Sequence, residues 1–182
     1  MSDPNAHQSA SNTTDAAAPT AAFKTVIQIG AVVRDLDQSM KELTQVFGIG
    51  PFRVVECPPP GREERQIYLG QPARFRTRQA FADLGSVELE LIQPLEGQSI
   101  WSDFLTRRGP GLHHIRFNVA ELDAVIAYLQ QKGISVTQEG DGIRAGTHWV
   151  NFDTEDRIGF TIEVMKPVTG TDGRTPNSSS DP

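Results

Sequence analysis

The middle of the chain contains two successive runs of hydrophobic patterning, and both follow the same order. Each run opens with a β-branched strand pattern, continues with a helical period of apolar residues, and ends with three extended stretches. The first run predicts a strand at 24–33, a helix from Leu36 to Gly48, and strands at 52–57, 74–83 and 87–93. The second predicts a strand at 112–119, a helix at 122–132, and strands at 134–138, 147–152 and 160–165. The sequence therefore predicts an α+β fold of two βαβββ modules, about 23–94 and 111–166, forming one curved mixed sheet.

Segments outside these two modules differ in composition. Residues 99–108 carry a helical pattern and are predicted to connect the modules, whereas 58–71 begin near PPPG and mix charges, which predicts a long loop. Residues 1–22 and 167–182 consist mainly of small and polar residues with few large side chains. Such segments bury too little apolar surface to offset the entropy of ordering, so both termini are predicted to be disordered.

Charge and cysteine content narrow the function classes. The chain of 182 residues has a formal net charge of -6, so it offers no basic footprint for nucleic acid or for an anionic membrane. A single cysteine, Cys57, excludes an internal disulfide and a zinc site built on several thiolates. No run of about 18 apolar residues is present, and the N-terminal segment lacks the pattern of a secretory signal. We therefore expect a cytoplasmic protein that acts on a small molecule.

Polar side chains recur at corresponding places in the two modules, one on the first strand and one on the last strand of each. Successive strand residues point to opposite faces, and one face of each of these strands is mainly apolar. The opposite, polar faces carry Gln28, Glu90, His114 and Glu163. If both polar faces curl around one cavity, these four side chains converge in it.

An imidazole, an amide oxygen and two carboxylates form a donor set of intermediate hardness. This set suits one divalent ion, Zn, Ni, Co, Mn or Fe, with water completing its coordination shell. Two carboxylates buried together repel each other, and a cation satisfies both. The four residues therefore predict a metal site.

Further polar residues near this site are candidates for substrate binding. Arg116 and Asn118 share a strand face with His114 and would hold an anionic or polar group of the substrate. Arg76 is a candidate for binding an anion in the cavity, with an exposed charged stripe as the alternative interpretation of Arg74, Arg76 and Arg78.

The segments IQIGAVVRDLD, VELELIQP, GLHHIRFNV and GFTIEVMKP resemble, in order, the four ligand-bearing strands of the vicinal-oxygen-chelate superfamily of glyoxalases, bleomycin-resistance proteins and dioxygenases. The resemblance spans residues 24–167, and GLHHIRFNV followed by a helix is its most specific part. The stretch from VELELIQP to GLHHI is particularly similar to the corresponding stretch of methylmalonyl-CoA epimerase-like members. Gln28 occupies a position that is also Gln in several glyoxalase I-like members.

The resemblance implies roles for individual residues. Gln28, Glu90, His114 and Glu163 match the four metal-ligand positions, and His113 is then the less suitable histidine. Glu163 matches a ligand that also carries a proton, and Glu90 is the second catalytic candidate. The implied reaction is proton transfer through a metal-stabilised enediolate, of epimerase, isomerase or lyase type, in a homodimer.

Two other classes stay open at this stage. One is a metal-dependent dioxygenase, although that branch needs two histidines and Gln28 stands in the place of one of them. The other is a non-catalytic binding or resistance protein, whose ligand set is usually incomplete, whereas here all four positions are filled by potential ligands.

Overall fold

The computed structural model describes residues 23–62 and 65–168 of the chain. Among these residues, no helix combines the length and the apolar character that a membrane crossing would require. The elements in chain order are β1 (Val26–Val32), α1 (Leu36–Phe47), β2 (Arg53–Cys57), β3 (Ile67–Tyr68), β4 (Gln71–Pro72), β5 (Arg76–Asp83), β6 (Glu88–Glu96), α2 (Ile100–Arg108), β7 (Gly111–Asn118), α3 (Leu122–Gln131), β8 (Val136–Asp141), β9 (His148–Phe152), α4 (Glu155–Ile158) and β10 (Thr161–Lys166).

These strands form one mixed sheet that curls into a half-barrel, in the order β2-β5-β6-β1-β7-β10-β9-β8-β3-β4. The two halves of the chain meet where β1 pairs antiparallel with β7, with Ile29 opposite Ile115. On either side of this pair, β1 runs parallel to β6 and β7 runs parallel to β10. The predicted α+β fold with a curved sheet is confirmed, and the four predicted ligand strands are adjacent at its centre.

Alternate strand residues pack against helices on the outer side of the sheet. One cluster joins α3 to β9 and β10 through Val125, Val150 and Val164, and a second joins the start of α1 to the first half through Leu36 and Leu91. On the inner side, α2 closes one end of the half-barrel. There the buried rings of α2 and of the segment before β5 pack on aliphatic side chains of β1 and β6, in a cluster of Trp101, Phe104, Phe75, Val32 and Ile92.

Helix ends follow the signals in the sequence. Asp35 caps α1, accepting a hydrogen bond from the Gln38 backbone N–H at 2.9 Å. The helix ends at Gly48, whose φ of 67° lies in the left-handed region that favours glycine. Ser99 caps α2 in a reciprocal arrangement with Ser102.

The long loop predicted at 58–71 is wrong in part, because this segment contains β3 and β4. β3 pairs antiparallel with β8, with Ile67 opposite Glu139, so a segment of the first half extends the sheet at the edge of the second half. The two ends of the segment that contains β3 and β4 are joined by buried Gln66, whose side chain exchanges two hydrogen bonds with the backbone of Phe75, at 2.9 and 3.0 Å. Strands of two residues carry no periodic pattern, and hydrophobic patterning cannot detect them.

Two further differences concern helices. Phe47, which the helical period places on the same face of α1 as Leu36 and Leu43, is 70% exposed, and the contact of this helix with the core ends near Leu43. The short α4, which the sequence did not predict, follows β9 directly. The termini predicted to be disordered, 1–22 and 167–182, lie outside the described residues except for Pro167 and Val168.

Candidate metal centre and cleft

The inner face of the four central strands carries the polar residues that the sequence singled out. Gln28, Glu90, His114 and Glu163 are all buried, with at most 6% of each exposed. In the strand register, Gly30 lies opposite both Glu90 on β6 and His114 on β7. The structure therefore brings the four predicted ligands to one place.

Nε2 of His114 is the point on which the other three side chains converge. Its distance is 3.2 Å to Oε2 of Glu90, 3.7 Å to Oε2 of Glu163 and 3.5 Å to Oε1 of Gln28. Two atoms bound to one ion at about 2.1 Å lie roughly 3.0–3.4 Å apart, so these separations are at or slightly beyond those of donors that share a metal.

Donor chemistry and spacing together test whether a divalent ion fits here. Within 23–62 and 65–168, no three His, Cys, Asp or Glu side chains already form an assembled metal site. The carboxylate oxygens instead lie against the ring nitrogen of His114, a contact that a proton can bridge. Replacing that proton by a cation needs a contraction of only a few tenths of an ångström, roughly, and no change of donor types. We conclude that the residues fit the ion.

The ring of His114 lies directly over bare backbone of β1. A methyl group built on Gly30 would stand 2.0 Å from Cε1 and 2.3 Å from Nε2 of that ring, far inside van der Waals contact. Only glycine at this position allows the imidazole to lie so close to the strand. Gly30 is therefore part of the site, although it carries no functional group.

A second histidine orients the first. Nδ1 of His113 lies 3.1 Å from Nδ1 of His114, so one ring must donate and the other accept. Burial, with the neighbouring His114 and Arg107 charges, lowers the pKa of His113 well below its usual value, which favours His113 as the neutral acceptor. Nδ1–H of His114 then donates, and Nε2 faces the carboxylates, the arrangement expected of a histidine that binds metal through Nε2.

Charges at the centre shift the pKa values of its members. Burial raises the pKa of Glu90, and the nearby Glu163 carboxylate adds to this, against the opposing effect of His114. For His114, burial alone would lower the pKa, but the Glu163 and Glu90 carboxylates raise it above its ordinary value. Both shifts favour proton binding at the centre, and a cation that bound there would compete with those protons.

Neighbouring side chains fix the orientation of two of the ligands. Nε2–H of Gln28 donates to Oε1 of Glu88 at 2.7 Å, which turns Oε1 of Gln28 toward His114. Nδ2–H of Asn151, buried on β9, donates to Oε2 of Glu163 at 3.0 Å. Both contacts come from a strand other than the ligand's own, so they couple ligand geometry to sheet pairing.

A cleft opens beside this centre between the two halves of the sheet. Glu90 and Glu163 line it, as does Arg116, whose Nη2 lies 3.7 Å from Oε1 of Glu88. The other lining residues come from β2, β5, α2, β8, β9, β10 and the loops next to these elements, and include Cys57, Phe75, Thr77, Gln79, Trp101, Asp141, Arg144, Trp149 and Met165.

The predicted substrate-binding residues separate in the structure. Arg116 lines the cleft, whereas Asn118, at the end of the same strand, is not among the lining residues. Arg76 lies outside the cleft, where its exposed guanidinium pairs with Glu56 at 2.7 Å and Glu96 at 2.8 Å. The structure therefore favours the charged-stripe interpretation of Arg76.

Sequence reasoning missed two contributors to this site. Gly30 had a signal, a glycine at an inward position of a strand between Gln28 and Val32, which indicates close approach of another group. His113 had none, because alternation places it opposite His114. A register irregularity between Gly30 and Ala31, where β1 pairs with β7, accompanies the meeting of the two rings.

Comparison with known proteins agrees with this architecture. The profile of the glyoxalase/bleomycin resistance protein/dioxygenase superfamily matches residues 27–152. The chain belongs to this superfamily. It is also 55% identical over 38 residues to an uncharacterized protein, YqjC, of Bacillus subtilis (strain 168), a stretch that spans only 27% of that relative.

Solved structures of superfamily-like proteins share the fold. Methylmalonyl-CoA epimerase from Mycobacterium tuberculosis is 22% identical with a TM-score of 0.57, over 79% of this chain and 88% of that one. A hypothetical protein from Bacillus halodurans is 18% identical with a TM-score of 0.60, over 81% and 97%. A variant of Streptomyces coelicolor methylmalonyl-CoA epimerase, in complex with 2-nitronate-propionyl-CoA, is 22% identical with a TM-score of 0.59, over 79% and 96%. At these identities the likeness is one of fold.

Proposed function

We propose that this superfamily member is a divalent-metal enzyme that moves a proton at a carbon next to a carbonyl or thioester group. The reaction is of epimerase, isomerase or lyase type. The observation that carries the proposal is the convergence of Glu90 and Glu163 on Nε2 of His114 in a buried cleft, at 3.2 and 3.7 Å.

The two carboxylates approach from opposite sides. β6 and β10 are separated by β1 and β7 in the curled sheet, so Glu90 and Glu163 reach the centre from two strands that are not neighbours. A substrate carbon held between them can lose its proton to one carboxylate and regain a proton from the other or from the same one. This geometry serves an epimerase and an isomerase equally well.

Their surroundings suggest how the two carboxylates divide the work. The hydrogen bond from Asn151 orients Glu163, so that its other oxygen is available to accept a substrate proton. Glu90 approaches His114 from the other side of the centre, at 3.2 Å, and is the second candidate for proton transfer. Arg116, buried and lining the cleft, supplies a positive charge for an anionic part of the substrate.

The metal would contribute to this reaction by lowering the cost of forming the carbanion. Gln28, Glu90, His114 and Glu163 would hold the ion, which would act there as a Lewis acid toward the substrate carbonyl. Zn, Ni, Co, Mn and Fe all suit this donor set. The fold neighbours support the substrate class, because several are methylmalonyl-CoA epimerases and one is in complex with methylmalonyl-CoA.

Metal binding is the first test. Protein reconstituted with Ni, Co, Zn or Mn is expected to hold about one ion per chain, and His114→Ala is expected to lose it. Elemental analysis after gel filtration measures this. Failure of the wild type to retain any of the four ions would overturn the metal site.

The second test follows the proton. In D₂O, wild-type protein should place deuterium at the acidic carbon of a substrate drawn from a panel of CoA thioesters and 2-oxo compounds, as followed by ¹H NMR. Glu163→Gln keeps an oxygen donor but cannot take up a proton, so exchange should fall by about 10²-fold or more while metal content falls only modestly.

Glu56→Gln is the matched control, because this carboxylate is exposed and pairs with Arg76 outside the cleft. It should exchange at the wild-type rate. Exchange by Glu163→Gln as fast as wild type would leave Glu163 only a ligand role. No exchange by the wild type with any member of the panel would favour the dioxygenase or binding-protein alternative.

A further inference from the structure

Several aromatic side chains line the cleft, together with the charged residues Asp141 and Arg144. Trp101 on α2 and Trp149 on β9 both line it, with ring centroids 5.5 Å apart and planes inclined at 45°. Phe75 meets Trp101 edge-on at 5.7 Å and lines the cleft as well. The wall formed by these three rings therefore offers aromatic surface to a ligand in the cleft.

The ring of Trp149 is held in one orientation by three independent contacts. Its Nε1–H donates to the backbone carbonyl of Asp141 at 3.1 Å. One part of the ring covers Gly140, where an added Cβ would stand 2.7 Å from Cζ2. Trp101 packs against it within the cleft. Trp149 nevertheless stays partly exposed, so a flat apolar surface is fixed in advance at the cleft wall.

This surface lies within reach of the proposed reacting carbon. Trp149 is two residues from Asn151 on the same strand face, about 7 Å along the strand, and Asn151 donates to Glu163. A substrate whose reacting carbon lies at Glu163 can extend its side chain along the strand toward Trp149. The side chain of the substrate, rather than its carbonyl, would therefore contact Trp149.

Buried polar atoms of two lining residues indicate a further feature of the ligand. Within the described residues, the indole N–H of Trp101 and the hydroxyl of Thr77 are buried without a hydrogen-bond partner, although both residues line the cleft. Trp101 is 3% exposed and Thr77 is 1% exposed. A ligand with an acceptor atom would satisfy the indole donor, whose burial without a partner is otherwise unfavourable.

We propose that the substrate carries a planar aromatic group, substituted with a hydrogen-bond acceptor, that stacks on Trp149 beside Trp101. The proposal rests on the proposed function for the position of the reacting carbon, and it narrows the substrate to aryl-substituted carbonyl compounds. A cleft that had to hold only a short aliphatic acyl group would not need an indole fixed in this way.

Intrinsic fluorescence gives a direct assay, because Trp101 and Trp149 are the two tryptophans of the chain. The probes are benzylacetone, its cyclohexyl analogue, butanone, and anisylacetone, which carries a methoxy oxygen attached to the ring. Each is titrated into the protein as purified. Aromatic pairs contribute about 0.5–1.5 kcal/mol beyond area burial, so benzylacetone should bind about three- to tenfold more tightly than the cyclohexyl analogue. Anisylacetone should bind more tightly again, and butanone most weakly.

Variants separate stacking from general hydrophobic burial. Trp149→Leu should remove the preference for the aromatic probe, with Trp101 still reporting binding, whereas Trp149→Phe should keep part of it. Phe47→Leu, an aromatic replacement at an exposed position of α1, should bind all probes as wild type does. Equal affinity of the wild type for benzylacetone and its cyclohexyl analogue would overturn the proposal without any variant.

Failure of this proposal and failure of the proposed function give different results. Aromatic preference in the fluorescence assay without proton exchange would support the aromatic site and reject the proton-transfer function. Exchange of small aliphatic carbonyl compounds without aromatic preference would support the function and reject the aromatic site.

Discussion

Replacing Gly30 by alanine perturbs the candidate metal centre without removing any of its donor atoms. The new methyl group would stand 2.0 Å from Cε1, 2.3 Å from Nε2 and 2.5 Å from Nδ1 of His114. Ordinary carbon contacts are about 3.5–4.0 Å. The ring must therefore move by roughly 1.5 Å, or β1 must separate from β7 at this point.

Either movement disrupts the contacts that orient His114. Nδ1 lies 3.1 Å from His113 and Nε2 lies 3.2 Å from Glu90, so a displacement of that size breaks at least one of them. Loss of an orienting contact typically costs 10–100-fold in metal affinity, and displacement of the ligand itself costs more. We expect Gly30→Ala to bind divalent ions about 10²-fold more weakly, and overpacking to lower the free energy of unfolding by about 1–3 kcal/mol.

Gly111→Ala is the matched control on the neighbouring strand. A methyl group there meets nothing nearer than Phe104, at 3.8 Å, which is ordinary contact. Calorimetric titration with Ni or Zn measures affinity, and urea unfolding measures stability. Wild-type affinity in Gly30→Ala would mean that the His114 ring does not bind metal in the orientation described, and the reasoning from this geometry would be refuted.

Three further expectations concern groups at or near the cleft and the assembly of the chain. Burial, reinforced by the Glu90 charge, raises the pKa of Cys57 to about 12. Alkylation of this thiol at pH 8 should therefore be on the order of 10³-fold slower than that of a free thiol, and should reach the free-thiol rate in denaturant. Fast alkylation of the native protein would contradict this expectation. The folded-state pKa of His113 lies below the unfolded value of about 6.5. The unfolded chain therefore takes up more protons as pH falls below 6.5, and the free energy of unfolding declines by up to about 1.4 kcal/mol per pH unit. Urea unfolding of His113→Gln should show a weaker dependence of this free energy on pH, and an unchanged dependence would refute the assignment. Sedimentation should show a homodimer, and a single species of 19.9 kDa at micromolar concentration would count against it.

Strand faces were predictable from the sequence because they follow from local alternation. Each ligand candidate occupies a strand whose other face is apolar, and the period of two then fixes the side to which Gln28 or Glu163 points. Helix ends were equally local, since Asp35 and Gly48 act within one turn. These parts of the fold and of the candidate site depend on neighbours in sequence.

The features that patterning missed depend on partners far along the chain. β3 exists because Ile67 and Tyr68 pair with β8, some 70 residues later, as their register opposite Glu139 and Gln138 shows. The contact between His113 and His114 accompanies a register irregularity in the pairing of β7 with β1, which alternation within one strand cannot reveal. Arg76 lies outside the cleft because its face of β5 is the outer one, where Glu56 and Glu96 pair with it.

The four candidate ligands lie on four adjacent strands, β6, β1, β7 and β10, two from each half of the chain. Neither half alone presents more than two of them, and among the described residues β1–β7 is the one hydrogen-bonded strand pairing that joins β6 and β1 to β7 and β10. The contacts that orient two of the ligands also cross between strands. The side chain of Gln28 is oriented by a residue of β6, and that of Glu163 by a residue of β9. A buried pair of carboxylates is costly without a cation, so pairing of the two halves creates an electrostatic cost that metal binding would offset. We therefore expect metal to stabilise the junction between the halves more than either half by itself.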